Sequence, residues 1–516
     1  MKYPIGIQSF DKIIEGGYVY VDKTELVYKL VSSGEYYFLS RPRRFGKSLL
    51  TSTLEAYFLG RRELFKGLAL ERLETDWTEY PVFHLDFSGE SYTNGDVVRA
   101  TLDNFLSEKE VIYGKEETEV SFGLRFMGLI KRAYEKTGRK VVVLVDEYDK
   151  PLTDTIGNPG LQDANRSLLQ GLYGVLKRAD AYIKFAFLTG VTRYGKLGIF
   201  SAANNLEDIS MSEHYATLCG ISEAELHACF DEEVQAFADK LKVSKTDMYA
   251  LLKRKYDGYH FSACSDGVYN PFSLLDALKN RVLENKWFST GTPTYLARIL
   301  RMGDFDLTQF NGSVIATKVD MESFGNGEEN VLAALYQSGY LTIKDYDGSL
   351  FYKLGFPNEE VESGFIQYLM KEFTGKQSGQ LNRDLVTLRE LIGRNDVDGF
   401  MAQIQNIIAQ IPFESNDAKL IEANFRNMVY LIISFTGYRT NIEFPTLGGR
   451  IDIYFETAEC AYIIECKRDA TAQAAMEQID DKKYAEKVSA TGKRVVKVGA
   501  NFSTTAWNLT EWVVGE

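Results

Sequence analysis

Apolar residues in this chain fall into two rhythms. Short, mainly apolar runs at 37–39, 82–85, 141–145 and 183–188, interrupted only by His84 and Lys184, are bounded by polar turns, and longer stretches of helical spacing lie between them, one from about 96 to 136. The five apolar residues Val141-Val142-Val143-Leu144-Val145 read as a strand buried on both faces, and strands alternating with helical stretches predict a parallel sheet covered by helices. Before the first run, Phe10-Asp11-Lys12-Ile13-Ile14 is followed by Tyr18-Val19-Tyr20-Val21, a strand running into a helix capped near Asp22. From about 211 to 310 the pattern turns helical. Ser222 and Glu225 form a capping-box pair, and 226–241 carry apolar residues at helical spacing.

Residues 330–336 read as a helix, followed by strands at 341–344 and 350–354 around the turn pair Asp347-Gly348. Helix followed by hairpin predicts a winged-helix unit; with few basic residues, it reads as a packing module before a groove reader. Residues 375–395 are polar and read as a junction. After it come an amphipathic helix at 421–431 and two strands, 448–455 and 461–467. The pattern predicts an α/β chain in three parts: 1–210, 211–400 and 401–516.

Composition adds limits. A chain of 516 residues is long enough for several cores, and 45% apolar with 25% charged residues is ordinary for a soluble protein. The net charge of −13 excludes a generally basic polyanion binder, so a nucleic-acid surface has to be local. Cys219, Cys229, Cys264, Cys460 and Cys466 form no C-x-x-C pair, and His84, His214, His227 and His260 are scattered, which argues against zinc and for reduced thiols. With no signal-like N-terminus and no run of membrane length, a cytoplasmic protein that does not enter a membrane is expected.

The chemistry starts at Tyr37-Phe38-Leu39-Ser40-Arg41-Pro42-Arg43-Arg44-Phe45-Gly46-Lys47-Ser48: an apolar strand, a basic turn and a helix start. A helix N-terminus offers unpaired N–H groups and a dipole that favour phosphate. Gly46 allows the backbone to approach it, Lys47 adds a cation, Ser48 offers a hydroxyl to magnesium, and Arg44 stands beside them. Arg41 occupies the place of the first glycine of the usual G-x-x-x-x-G-K-[ST] pattern. The strand at 141–145 ends on Asp146, Glu147 and Asp149, at the sheet edge where α/β proteins bind ligands. Asp146 suits the magnesium shell and Glu147 the attacking water; Thr189 and Arg193, after the next strand, are candidates to face the γ-phosphate. ATP and Mg2+ are the expected ligands.

A second constellation lies near the C-terminus. Glu465 and Lys467, two apart in a strand, share a face, and Asp452 on the neighbouring strand can meet them. Asp452 and Glu465, with Glu422 from the preceding helix, suit magnesium, and Lys467 suits a developing charge on phosphate. Gln478, Lys482 and Tyr484 are expected to meet a DNA backbone.

These motifs carry two resemblances. The loop 38–48, Leu144-Val145-Asp146-Glu147-Tyr148-Asp149, Asn204-Asn205-Leu206-Glu207-Asp208, Tyr256-Asp257-Gly258-Tyr259 and Tyr269-Asn270-Pro271-Phe272-Ser273 resemble the bacterial AAA-ATPase-like family, related to archaeal-type ATPases with an arginine-rich phosphate loop, over roughly 4–300. Asp452, Glu465-Cys466-Lys467 and Gln478 resemble the PD-(D/E)XK nuclease superfamily over roughly 405–505. There Gly449-Arg450-Ile451-Asp452 replaces Pro-Asp, and Arg426 stands where a histidine is expected. The resemblances imply a P-loop NTPase core, a helical lid and a restriction-endonuclease-like C-terminal fold. They also imply an ATPase coupled to a magnesium-dependent nuclease on DNA, and a homo-oligomer in which Arg193 or another arginine serves a neighbouring subunit. The alternative from another class is a nucleotide-dependent switch whose nuclease fold is an inactive docking module for nucleic acid or protein.

Overall fold

The structure is a computed structural model that describes residues 1–193, 205–287, 314–322, 330–374, 378–409, 428–434, 436–438, 440–446, 449–488 and 492–515. It divides into two compact units, Met1–Gly303 with Ile315–Val361, and Asp304–Val314 with Glu362–Glu516.

The first unit is built on a five-stranded sheet of β1 (Tyr36–Ser40), β2 (Val82–Asp86), β3 (Val141–Asp146), β4 (Ile183–Gly190) and β5 (Glu207–Asp208), in the order β2-β3-β4-β1-β5. All pairings are parallel. Every residue of β1 and β3 is buried, whereas β2 at the edge alternates. Inner strands of a parallel sheet have helices on both faces, which is why their sequences are unbroken apolar runs. Because β4 lies between β1 and β3, the loop after β4 is threaded between the turn after β1 and the acidic turn after β3.

The stretch expected as one long helix is two, Gly95–Tyr113 and Phe122–Thr137. Gly114, at φ 84°, ends the first, and the Ser121 side chain caps the second. Residues 18–21 pair with no described strand; Val19 N–H donates to the Lys2 carbonyl at 2.9 Å. The N-cap position itself is Lys23, which makes no side-chain cap; Asp22, one residue earlier, accepts from Thr24 N at 2.8 Å and from Ala69 N at 2.8 Å. β6 (Ile221–Ser222) pairs antiparallel with β7 (Val268–Tyr269); the helix Glu223–Leu241 that follows β6 opens with both halves of the Ser222/Glu225 capping box, and it packs through Leu226, Val234 and Phe237 onto Leu252 and Leu274 of the next helices.

The winged unit is present. The helix Val331–Gln337 is capped by Asn330, and β9 (Thr342–Tyr346) and β10 (Phe351–Gly355) form the hairpin, with β8 (Val314–Thr317) outside β10.

In the second unit, residues expected as a polar junction include the helix Ser378–Gly393. Leu385, Leu388 and Ile392 are buried at helical spacing, a stripe that the polar majority hides in the sequence. The middle segment 211–400 is therefore not one block: its residues to Gly303 and from Ile315 to Val361 cluster with the first unit, and those from Glu362 with the second. The reason is visible in the packing. Phe400 stands edge-on to Tyr462 at 5.6 Å, Tyr462 Oη donates to Asn395 at 2.6 Å, and Gln405 donates to the Leu509 carbonyl at 2.5 Å.

The C-terminal sheet runs β11 (Thr440–Thr446), β12 (Gly449–Glu456), β13 (Cys460–Arg468), β14 (Arg494–Ser503) and β15 (Asn508–Gly515), in sequence order. Only β13 and β14 are parallel, joined over the helix Ala472–Asp481. That helix sits so close that a Cβ on Gly499 would stand 2.4 Å from the Ala472 carbonyl oxygen and 2.6 Å from Met476 N. Gly499→Ala is therefore expected to push the helix outward and destabilise this unit by about 1–3 kcal/mol. Thermal melting checks it: an unchanged midpoint contradicts the close approach.

Among the described residues, no helix is long and apolar enough to cross a membrane.

Candidate functional sites

The turn after β1 is held from behind. Arg41 is 1% exposed; its guanidinium donates to the carbonyls of Ser40 (2.9 Å), Ser210 (2.7 Å) and Tyr215 (3.1 Å) and lies 4.0 Å over the Phe261 ring. An arginine in place of the first glycine is thus an anchor, and the start of the loop is set by carbonyl contacts instead of glycine flexibility. Phe45 is wedged edge-on against Tyr259 (4.7 Å) and Phe261 (5.4 Å), and Trp287 Nε1 donates to the Arg43 carbonyl at 3.1 Å. Gly46 takes φ 88°, the left-handed turn that starts the helix Lys47–Phe58. Arg44 is exposed, with its guanidinium 4.8 Å over Phe272.

Lys47 is 7% exposed, and its ammonium donates to the carbonyls of Arg41 and Pro42, 3.0 Å each. Burial lowers its pKa below the ordinary lysine value, against the pull of Glu147 and Asp146. The Ser48 side chain stands beside the Asp146 carboxylate, in the lining of one cavity. Burial pushes Asp146 and Glu147 above the ordinary carboxylate range, while Lys47 draws both down. Glu147 sits at φ 50°, a left-handed conformation that is uncommon for a side chain of its kind and that aims it into the cleft. Lys47, Ser48, Asp146 and Glu147, brought from two strands about a hundred residues apart, therefore meet at one place.

A cleft of about 450 Å³ opens there, lined by Arg44, Gly46, Lys47, Ser48, Glu147 and Lys150 among others. It shares Gly46 and Leu49 with an apolar pocket of about 100 Å³ lined by Ile13, Tyr20, Val21, Leu50, Leu218 and Ile221. The N-terminal preface thus forms a wall of both. A third cavity, of about 330 Å³, touches Ser48 and Asp146 from the other side and contains Asp86, His84 and Glu55. Asp86 stands opposite Asp146 in the β2–β3 register, and His84 Nδ1 is 2.9 Å from Glu55. Sequence reasoning passed over Asp86; the signal was another apolar strand ending in an aspartate.

Two expected contributors are engaged elsewhere. Thr189 is fully buried, and its hydroxyl donates to the Leu39 carbonyl at 2.9 Å, tying β4 to β1. Arg193 is 8% exposed; it pairs with Glu322 at 2.7 Å, stands 3.5 Å from Asp208, and its backbone N–H donates to Gln337 at 2.8 Å. Neither lines the phosphate cleft. Strand ends place a residue only to within a loop's reach, and here the loop turns toward other partners. Asp149 supplies part of the reason: its carboxylate accepts from Val191 N, Thr192 N and Thr192 Oγ1, the last two at 2.7 and 2.5 Å.

In the second unit, β12 and β13 are antiparallel with Ile453 opposite Ile464, so one step further Asp452 comes opposite Glu465. The Cys466 N–H donates to the Asp452 carboxylate at 2.8 Å, and the Asp452 N–H reaches Glu465 at 3.5 Å. Glu465 is 2% exposed. The Gln478 amide donates to Glu465 and accepts from the Lys467 ammonium, bridging the two. Asp452, Glu465, Lys467 and Gln478 thus form one cluster, with Gln478 inside it and not out on a surface. Lys482 is exposed at the end of the same helix. Tyr484, expected on a nucleic-acid face, is 2% exposed in the core with Ile451, Ile463 and Ile479, because the short helix that begins there turns its ring inward. Glu422 and Arg426 lie outside the described residues.

Among the described residues, no group of three or more His, Cys, Asp or Glu side chains is arranged to hold a metal ion. The donor sets are one carboxylate with a hydroxyl (Asp146, Ser48) and one pair of carboxylates (Asp452, Glu465). Few, hard oxygen donors suit magnesium, which keeps most of its water shell, and do not suit zinc.

Two family models match the chain. One, described as a predicted AAA-ATPase, matches residues 4–200; the other, the PD-(D/E)XK nuclease superfamily, matches residues 420–512. The chain is also 34% identical over 523 residues to an uncharacterized protein in the vnfD 5′ region of Azotobacter chroococcum mcd 1, with 99% of this chain and 98% of that one covered.

Proposed function

We propose, starting from the fact that the chain belongs to a family that joins an AAA-ATPase-like domain to a C-terminal PD-(D/E)XK nuclease superfamily domain, that it binds and hydrolyses ATP and thereby controls metal-dependent cleavage of DNA. The observation that carries this reading is the meeting, in each unit, of a buried acid toward the end of a strand with a lysine: Asp146 with Lys47 at the start of the following helix, and Glu465 with the half-buried Lys467 through Gln478.

In the first site the polar cleft suits a triphosphate and the adjoining apolar pocket suits a base. The N–H groups opening the helix Lys47–Phe58 donate to phosphate oxygens, and the Lys47 ammonium exchanges two loop carbonyls for them. Ser48 and Asp146 would hold magnesium. Glu147, whose raised pKa leaves it a stronger base than a surface glutamate, accepts a proton from the attacking water. In the second site Asp452 and Glu465 would hold magnesium. Lys467 neutralises charge that develops on the phosphodiester, and Gln478 keeps Lys467 and Glu465 in register. Magnesium, when bound, supplies charge neutralisation and a more acidic water at both sites.

The test is a cleavage assay with the full chain on supercoiled plasmid and single-stranded DNA, with and without ATP. Magnesium-dependent strand breaks that stop with chelator, at a rate altered by ATP, are expected. Intact DNA in magnesium and in manganese, with nucleotide still bound, would select the inactive docking-module reading instead.

A further inference from the structure

Three consecutive residues after β4 join the acidic turn to the winged unit. On one side, Asp149, three residues beyond Asp146, holds Val191 and Thr192 through their N–H groups and the Thr192 hydroxyl. On the other, Arg193 donates its backbone N–H to Gln337 Oε1 at 2.8 Å and its guanidinium to Glu322 at 2.7 Å. Gln337, also buried, returns its amide to the Met321 carbonyl at 2.7 Å, so one side chain stitches the loop to its own helix, Val331–Gln337, and to the short helix Lys318–Glu322.

A second route starts at the phosphate loop. Ser40 Oγ donates to the Val191 carbonyl at 2.8 Å, and Ser210 Oγ accepts from Ser40 N at 2.8 Å. Pro42, whose carbonyl accepts from Lys47, packs so closely on the winged unit's Gly339 that a Cβ there would stand 2.7 Å from its ring. Gly339 holds φ 87° in the turn between the helix Val331–Gln337 and β9. Phosphates that drew Lys47 off the carbonyls of Arg41 and Pro42 would act on a turn held by the Ser40 hydrogen bonds and by the packing of Pro42 on Gly339. Such contacts change between discrete arrangements instead of yielding gradually.

We propose that the winged unit is the element that reads the nucleotide state of the phosphate cleft, and that Glu322 and Gln337 are positioning residues that connect it to the cleft through Arg193. This deepens the nucleotide-site reading and rests on it. On this view Arg193 is a relay within the chain; the ion pair with Glu322 fixes the loop 191–193 in one of its positions, and the exposed sheet face of the winged unit carries the change outward. By reciprocity, a nucleotide that shifts the winged unit is itself bound with an affinity that depends on it.

The experiment is amide hydrogen exchange across residues 331–355 of the full chain, with and without magnesium and a slowly hydrolysed ATP analogue, with analogue affinity measured on the same samples. The unaltered chain is expected to change its exchange in this segment when the analogue binds. Glu322→Gln, which keeps the side chain's shape, is expected to lose that change while retaining analogue binding. Arg193→Lys, which keeps the charge, is expected to retain part of it, a distinction that a merely structural contact would not produce. An unaltered chain that binds the analogue without a change in 331–355, or a Glu322→Gln chain that keeps the full change, overturns the proposal. An unaltered chain that fails to bind the analogue overturns the nucleotide-site reading first, and this inference with it.

Discussion

Lys47→Ala is expected to weaken nucleotide binding sharply and to leave the fold standing. The ammonium is buried, and the groups it holds without nucleotide are two backbone carbonyls of its own loop. Burial works against its charge, as its lowered pKa records. The charge therefore adds little to the fold and is poised for an anion. Removing one partner of a buried charge pair costs about 2–5 kcal/mol, or roughly thirty- to several-thousandfold in affinity. Titration with a fluorescent ATP analogue reads the loss, and a melting curve at or above that of the unaltered chain reads the intact fold. The sign of the pH dependence follows from the same group. A lowered pKa means the ammonium loses its proton at a lower pH than a surface lysine, so affinity falls earlier as pH rises. Normal affinity in the alanine variant would refute the phosphate-loop assignment.

Glu465→Ala is expected to lower the proposed magnesium-dependent DNA cleavage by at least about 10²–10³-fold, because it takes one of two carboxylates from the donor set. It also leaves the Gln478 amide without this acceptor and so loosens Lys467. Glu465→Gln, which keeps the volume of this buried side chain, is expected to lose cleavage as well, and so separates chemistry from packing. Gln478→Ala, which disturbs orientation and leaves both carboxylates, is expected to lose less, about 10–100-fold. Nucleotide binding in the other unit is expected to be unchanged in all three. Cleavage at the normal rate by Glu465→Ala would remove the nuclease assignment.

Much of this was legible without coordinates because it is local. An apolar run with turn residues at both ends specifies a buried strand, and a glycine, lysine and serine at the following helix start specify an anion site. Ser222 with Glu225 announced its cap correctly because a cap involves residues only three or four apart. The strand period of two put Glu465 and Lys467 on one face, and the hairpin register brought Asp452 opposite.

What local pattern left open were the partners that buried polar groups choose. Thr189 and Arg193 follow a strand that ends at the right edge, yet their donors go to Leu39, Glu322 and Asp208, because an unpaired donor in a packed interior takes the nearest acceptor. Arg41 looks like a defect in a phosphate loop until Ser210 and Tyr215, far along the chain, supply carbonyls for it. Tyr484 and Gln478 stand six residues apart in one polar stretch, but one turns into the core and the other into the carboxylate cluster. The chain by itself determined the strands, the helix starts and the residue types gathered at each strand end, since these follow from spacing along the backbone. Only the tertiary structure decided which of those residues face a cleft and which hold the protein together, since that depends on donors and acceptors that meet only after the chain has folded.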